Sequence, residues 1–281
     1  MTEDSRTRFS AEARAECPDP VLLCLLASVE QDPQADPDEV IATADAILDR
    51  LAATVRLAIA ERAPGGPEAV AALLSAVLAG RERFHGRPSD YNRLESSLLP
   101  AVLRRRRGLP IMLSLVWTAV GTRADLPVHG VALPGHFVVA VGGGPGCEPV
   151  LVDPFHGGRR LSLNDAGGLV AAATGEPLTE EMLAPAQPLD IVLRVLGNIR
   201  TWAASRPEHA GTQLWATELS LLLPRHPAQL RLERAETLIR TGDFLGGAAE
   251  MESYAQILDA FDPDSAARVR LEARAARHRL N

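Results

Sequence analysis

Apolar positions in this chain switch period twice. Between residues 19 and 80 they recur at helical spacing. In PDEVIATADAILDRLAATVRLAIAERA the residues Ile41, Ala44, Ile47, Leu48, Leu51 and Val55 fall at three- and four-residue steps, so they share one helix face. Pro37 and Asp38 stand where a helix start wants them, since proline lacks only an orphan N–H there and an acid suits the dipole. PDPVLLCLLASVEQDP and PEAVAALLSAVLAGRERF carry the same signal on either side. From Tyr91 the pattern predicts a helix, a break at Gly108 and a second helix beginning near Pro110. A strand follows over Val128 to Leu133. Two alternating runs come next, HFVVAV from His136 and EPVLVD ending at Asp153, flanking turn residues Gly142 to Cys147. Beyond Pro188 only helical periods remain.

The pattern predicts an α+β fold with a mainly antiparallel sheet packed by the Pro110 helix. It divides the chain into a helical region over residues 1–90, a mixed core over 91–188 and a helical region over 189–281. In the last region Pro227 and Pro263 recur at a spacing of 36 residues. That suits paired helices of tetratricopeptide type, with the helix before Pro263 about one turn longer than the usual unit.

Pairing Val141 with Glu148 in the hairpin sets His136 opposite Asp153. Directly opposed residues share a face with Cβ atoms about 5 Å apart, within reach of a carboxylate–imidazole hydrogen bond. Such a bond fixes the tautomer and raises ring basicity, which makes His136 a candidate general acid/base. The plainer reading is a structural histidine at a strand end and an Asp-Pro pair that opens a turn.

Composition narrows the rest. The chain has 281 residues, 46% hydrophobic and 23% charged, enough for a sizeable core. A net charge of −7 and 4% aromatic content argue against nucleic-acid binding and base stacking. The run Arg104 to Arg107 is the one basic cluster, and the expectation for it is a helix end paired with nearby acids. The longest apolar run near the start, Val21 to Val29, follows a polar opening, so neither a signal peptide nor a membrane span is expected, and the cytoplasm is the expected location. Cys17, Cys24 and Cys147 show no CxxC spacing, which argues against disulfides and structural zinc.

Taken together, GLPIMLSLVWTAV, PGHFVVAV and VDPFHGGRRLS, with the repeat-like tail behind them, resemble the SirB-type family of transglutaminase-like proteins over residues 84–281. The resemblance implies a transglutaminase/papain-like core in which a central helix, with a nucleophilic cysteine at its N-terminus, packs on an antiparallel sheet bearing a histidine and an aspartate. His136 and Asp153 match the last two. The position of the nucleophile falls at about Pro110, and Leu109, Pro110 and Ile111 offer none. Neither proline nor isoleucine imitates a thiolate activated at a helix N-terminus, so thioester acyl transfer is not expected.

Ser114, one helical turn on, is a candidate cleft hydroxyl, although a mid-helix serine generally bonds back to its own carbonyls. Cys147 lies about 20 Å of extended strand from Asp153, too far to reach His136. His156 and Arg159 are candidate anion holders beside a glycine-built turn. Tyr91 and Asn92 are candidate polar lining. Leu109, Pro110, Ile111 and Trp117 are either core or an apolar lining for a carbonyl-bearing ligand. The expectation is an acid/base enzyme acting by elimination, conjugate addition, isomerisation or cyclisation on a small molecule or peptide, without cofactor or metal. The alternative is an inactive binding module that holds a peptide or protein, with the C-terminal helices as a further partner surface.

Overall fold

The computed structural model describes residues 3–32, 34–143 and 148–279. Cys147, at the end of the expected turn, lies outside the described residues. Twelve α-helices and four strands are described: α1 (Glu3–Glu12), α2 (Pro20–Val29), α3 (Pro37–Arg62), α4 (Pro67–Leu74), α5 (Leu99–Arg105), α6 (Pro110–Arg123), β1 (Val128–Val131), β2 (Val138–Val141), β3 (Val150–Asp153), β4 (Arg159–Leu161), α7 (Leu163–Thr174), α8 (Pro188–Ala204), α9 (Ala210–Leu222), α10 (Gln229–Arg240), α11 (Phe244–Leu258) and α12 (Pro263–His278). Two compact units result. One spans Asp19–Val195; the other joins the residues up to Pro18 to those from Leu196 on.

The first unit is built around α6. Pro110 to Trp117 are all buried, as expected of a helix that is apolar all round. α3, α5 and α2 contact α6, and so do β1 and β2. α3 starts where its pattern predicts, with Asp36 capping through Oδ1 to the Asp38 N–H at 2.9 Å. Its face Ala44, Leu48, Leu51, Ala52 and Val55 is buried. α4 runs on into a π-helical stretch, Ser75–Arg81. Residues 19–90 thus sit in the same compact unit as the sheet, with α3 on α6 and α4 on β2 and β3.

The sheet has the order β1-β2-β3-β4, all antiparallel. Val138, Ala140 and Leu151 join Ala166 and Val170 of α7 in one apolar cluster. Alternation turns Val139, Val141 and Val152 to the opposite face. Both faces are therefore covered, which is why β2 is buried along its whole length.

The sheet departs from the expected one in its register and in its strand number. Val141 pairs with Val150, not Glu148, so the hairpin register is shifted by two residues. Pro149 explains this: it has no N–H to give the ladder, so β3 begins only after it. β2 begins at Val138, which leaves His136 and Phe137 in the segment leading into it. The fourth strand, β4, was not expected, because three residues with two exposed arginines carry little strand signal.

In the second unit, small residues bring helices close. Ala235, Ala248, Ala255, Ala266, Ala273 and Ala276 share a buried cluster with Met251, Tyr254 and Val269. α9 contacts α10, α10 contacts α11 and α11 contacts α12, so each helix packs on the next in sequence.

Three arginines of the run, Arg105 to Arg107, are paired within the fold. Arg105 and Arg107 reach Asp90, at 3.4 and 2.9 Å, and Arg106 reaches Glu82 at 3.4 Å. Arg104 is exposed on the last turn of α5. Among the described residues, no helix is long and apolar enough to cross a membrane.

Candidate active site

The site is assembled on the turn between β3 and β4. Asp153 ends β3 and is only 2% exposed. Its Oδ1 accepts the backbone N–H groups of Phe155 at 3.0 Å and His156 at 3.3 Å, an Asx-type turn. Its Oδ2 accepts from two imidazoles, His136 Nε2 at 2.8 Å and His156 Nδ1 at 2.7 Å. Burial by itself raises the Asp153 pKa, but the hydrogen bonds and charge of His136 and then of His156 outweigh it. The carboxyl is held below its ordinary value.

The two-residue register shift did not separate the dyad. A slip by an even number leaves each side chain on its own face. His136 lies two residues before β2, outside the ladder, and its ring reaches Asp153 from that lead-in segment. Ring nitrogen Nε2 is occupied by Asp153; among the described residues Nδ1 has no hydrogen-bond partner. Phe155 stands edge-on to His136 at 6.4 Å and to His156 at 5.1 Å, and Tyr91 stands edge-on to Phe155 at 5.7 Å.

The turn is held from beneath. Gly86 N–H donates to the Phe155 carbonyl at 2.9 Å, and Ser75 Oγ lies 2.9 Å from the Gly158 carbonyl. Gly157 and Gly158 have φ of +71° and +75°, the left-handed region, which fits the tight turn expected of the pair. A methyl on Gly158 would stand 2.5 Å from both Ser75 Oγ and the Trp117 ring. Gly158→Ala is therefore expected to destabilise by about 2–3 kcal/mol, from left-handed strain plus overpacking. A urea midpoint unchanged from the parent would contradict this packing.

His136 is fastened by a residue with no sequence signal. Arg194 of α8 donates to the carbonyls of Leu133 at 3.1 Å and His136 at 2.9 Å, with its guanidinium 5.6 Å from the Phe137 ring centroid. Burial lowers the Arg194 pKa, with Tyr91 partly opposing it. Burial, then the charge of Asp153, pushes the Tyr91 phenol up, against Arg194.

The remaining sequence candidates divide. His156 is exposed and joins Asp153 in lining a cleft of about 350 Å³ with Arg159, Leu161, Asn164, Asp165, Gly168 and Leu169. Arg159 is paired to Asp165 at 2.8 Å. Tyr91 and Asn92 are exposed. Pro110 opens α6 and is buried. Ser114 is fully buried and donates to the Phe137 carbonyl at 3.2 Å, so it locks α6 to the segment carrying His136 and presents no hydroxyl to the cleft. Trp117 is also fully buried, beneath Gly158. Leu109, Ile111 and Met112 complete a buried first turn without a nucleophile. Cys24 is buried, its thiol pushed up to about 12 by burial and then by Asp19, so it stays protonated.

A helix packed on an antiparallel sheet, with a histidine and an aspartate joined at its strand ends, defines the class. The chain belongs to the transglutaminase-like superfamily, which it matches over residues 42–197. A UPF0162 protein of Xylella fastidiosa is 29% identical over 180 residues, 62% of this chain and 63% of its own length. A UPF0162 protein of Pseudomonas aeruginosa is 33% identical over 179 residues, 63% of this chain and 57% of its own length. The chain thus matches less than two thirds of the length of these relatives. Among solved structures, menin is similar at a TM-score of 0.42 and 12% identity, covering 96% of this chain and 68% of menin.

Proposed function

We propose that this protein uses His136 as a general acid/base, oriented by Asp153, in non-covalent chemistry on a carbonyl-bearing small molecule or peptide. The carrying observation is the 2.8 Å bond from Nε2 to the buried carboxylate, which leaves Nδ1 as the nitrogen that exchanges a proton. Asp153 holds the ring in one tautomer and stabilises the imidazolium. This suffices for elimination, conjugate addition, isomerisation or cyclisation, each of which needs a proton moved beside an already activated carbonyl. Amide hydrolysis through a thioester has no support, because the first turn of α6 is apolar and buried. We further read the chain as SirB-type and cytoplasmic, with α9–α12 as tetratricopeptide-like pairs.

The test is deuterium exchange from D2O at the α-carbon of a panel of unsaturated and hydroxy carbonyl compounds, followed by mass spectrometry. His136→Ala is expected to lower exchange or turnover by at least about 100-fold, and iodoacetamide is expected to leave it intact. Loss of turnover on alkylation of a cysteine would falsify the non-covalent scheme. The second reading, a binding module for a peptide or protein, is favoured by the burial of His136, 7% exposed. It would be preferred if no compound in the panel exchanged faster than with His136→Ala.

A further inference from the structure

Asp153 needs only one imidazole to make a dyad, yet two converge on the same carboxylate oxygen. One donor atom from each of His136, Asp153 and His156 lies within 4.8 Å of the other two. The two nitrogen–oxygen edges measure 2.8 and 2.7 Å. On an ion with bonds of about 2.1 Å, neighbouring ligand atoms stand about 3.0 Å apart at right angles and about 3.4 Å apart at tetrahedral angles. Opening those edges by about 0.2–0.7 Å, and bringing the two ring nitrogens, which lie within 4.8 Å of each other, to the same separation, requires the exposed His156 ring to turn toward His136.

We propose that His136 Nε2, Asp153 Oδ2 and His156 Nδ1 together bind one divalent transition-metal ion of the borderline type, with the remaining positions open to water or a ligand. Two imidazoles and one carboxylate suit zinc, cobalt, nickel or ferrous iron better than calcium or magnesium, which prefer all-oxygen shells. The support around the carboxylate is already in place. Oδ1 is tied to two backbone N–H groups, so Oδ2 is the single oxygen offered, held in direction by the turn. Phe155 stands near-perpendicular to both rings. The His156 side chain is 59% exposed, which gives the ion a way in and leaves coordination positions facing solvent.

With neutral rings, the hydrogen-bonded state carries protons on His136 Nε2 and His156 Nδ1. Binding moves each to the far nitrogen of its ring, His136 Nδ1 and His156 Nε2, while the carboxylate is already ionised. No proton need be released, and no oxidant or reductant takes part. The metal-loaded state goes beyond the acid–base reading, since an ion occupies the very nitrogens that otherwise donate to Asp153.

Chelator-dialysed full-length protein, titrated with Zn2+ in a calorimeter and with Co2+ by visible absorption, tests the proposal. One equivalent is expected, with micromolar or tighter affinity and a thermal midpoint that rises with free Zn2+. His156→Ala is expected to weaken Zn2+ binding by at least about 100-fold, exceeding the loss seen when only an outer partner is removed. Its position is exposed, and the melt without metal checks that the fold is kept; His156→Gln repeats the test on a second side chain. Absence of stoichiometric uptake, or uptake undiminished in both variants, overturns the site. Binding is read here without turnover, so failure of the metal site leaves the acid–base reading standing, and failure of that reading leaves the metal site standing.

Discussion

Asp153→Ala is expected to lower the unfolding free energy by about 4 kcal/mol, within the range for removing one partner of a buried charged network. The carboxylate accepts four hydrogen bonds, two from backbone and two from imidazoles. Alanine leaves the Phe155 N–H buried without an acceptor, and such an orphan costs about 1–3 kcal/mol. It also frees the turn that presents His156. Asp153→Asn separates the two halves of the effect. Its amide oxygen can stay with the backbone donors, while its NH2 must face two ring nitrogens that now have to offer lone pairs. A loss of about half that of alanine is therefore expected, about 2 kcal/mol. Urea denaturation of both variants measures this. Equal midpoints for parent and alanine variant would mean that the turn stands without its carboxylate.

Asp90→Ala is expected to cost about 3–4 kcal/mol, again read from the urea midpoint. Asp90 is fully buried. It accepts the Arg87 N–H at 2.8 Å, Arg107 through Nη2 at 2.9 Å and Nε at 3.2 Å, and Arg105 at 3.4 Å. Removing it leaves two guanidiniums with side chains 22% and 25% exposed, so part of their charge regains water. That places the effect toward the lower end of the range. Arg105→Ala or Arg107→Ala alone should cost less, about 1–2 kcal/mol, because the carboxylate keeps the other cation and its backbone donor. A midpoint shift for Asp90→Ala no larger than that of either arginine variant would argue that the network is peripheral to stability.

These two carboxylates show how differently sites can be read along a chain. Asp153 was legible: it ends an apolar alternating run, and the alternation read along HFVVAV set His136 on its face, although the residue lies just before β2. The correct register was also written there, in Pro149, whose missing N–H bars it from the ladder. The second imidazole had a weaker sign. His156 stands three residues after an aspartate in a glycine-ended turn, the spacing at which an Asx turn folds a side chain back. Asp90 had none, since the spacing from it to Arg105 and Arg107 follows no single period. Arg194 is likewise one arginine among many until α8 lays it against the carbonyls of Leu133 and His136. Ser114 illustrates the converse. Its place one turn into α6 suggested the cleft, and burial against the Phe137 carbonyl assigned it to packing.

Helices α2, α3 and α6, the central strands and the meeting of His136 with Asp153 followed from residue order, because periodicity, capping and strand alternation act over a few neighbours. The sharing of one carboxylate oxygen by two rings, the arginine clamp on the histidine segment and the sealing of Ser114 and Trp117 did not. They arise from contacts between residues far apart along the chain, whose encounter depends on how complete elements pack, and no local pattern encodes that.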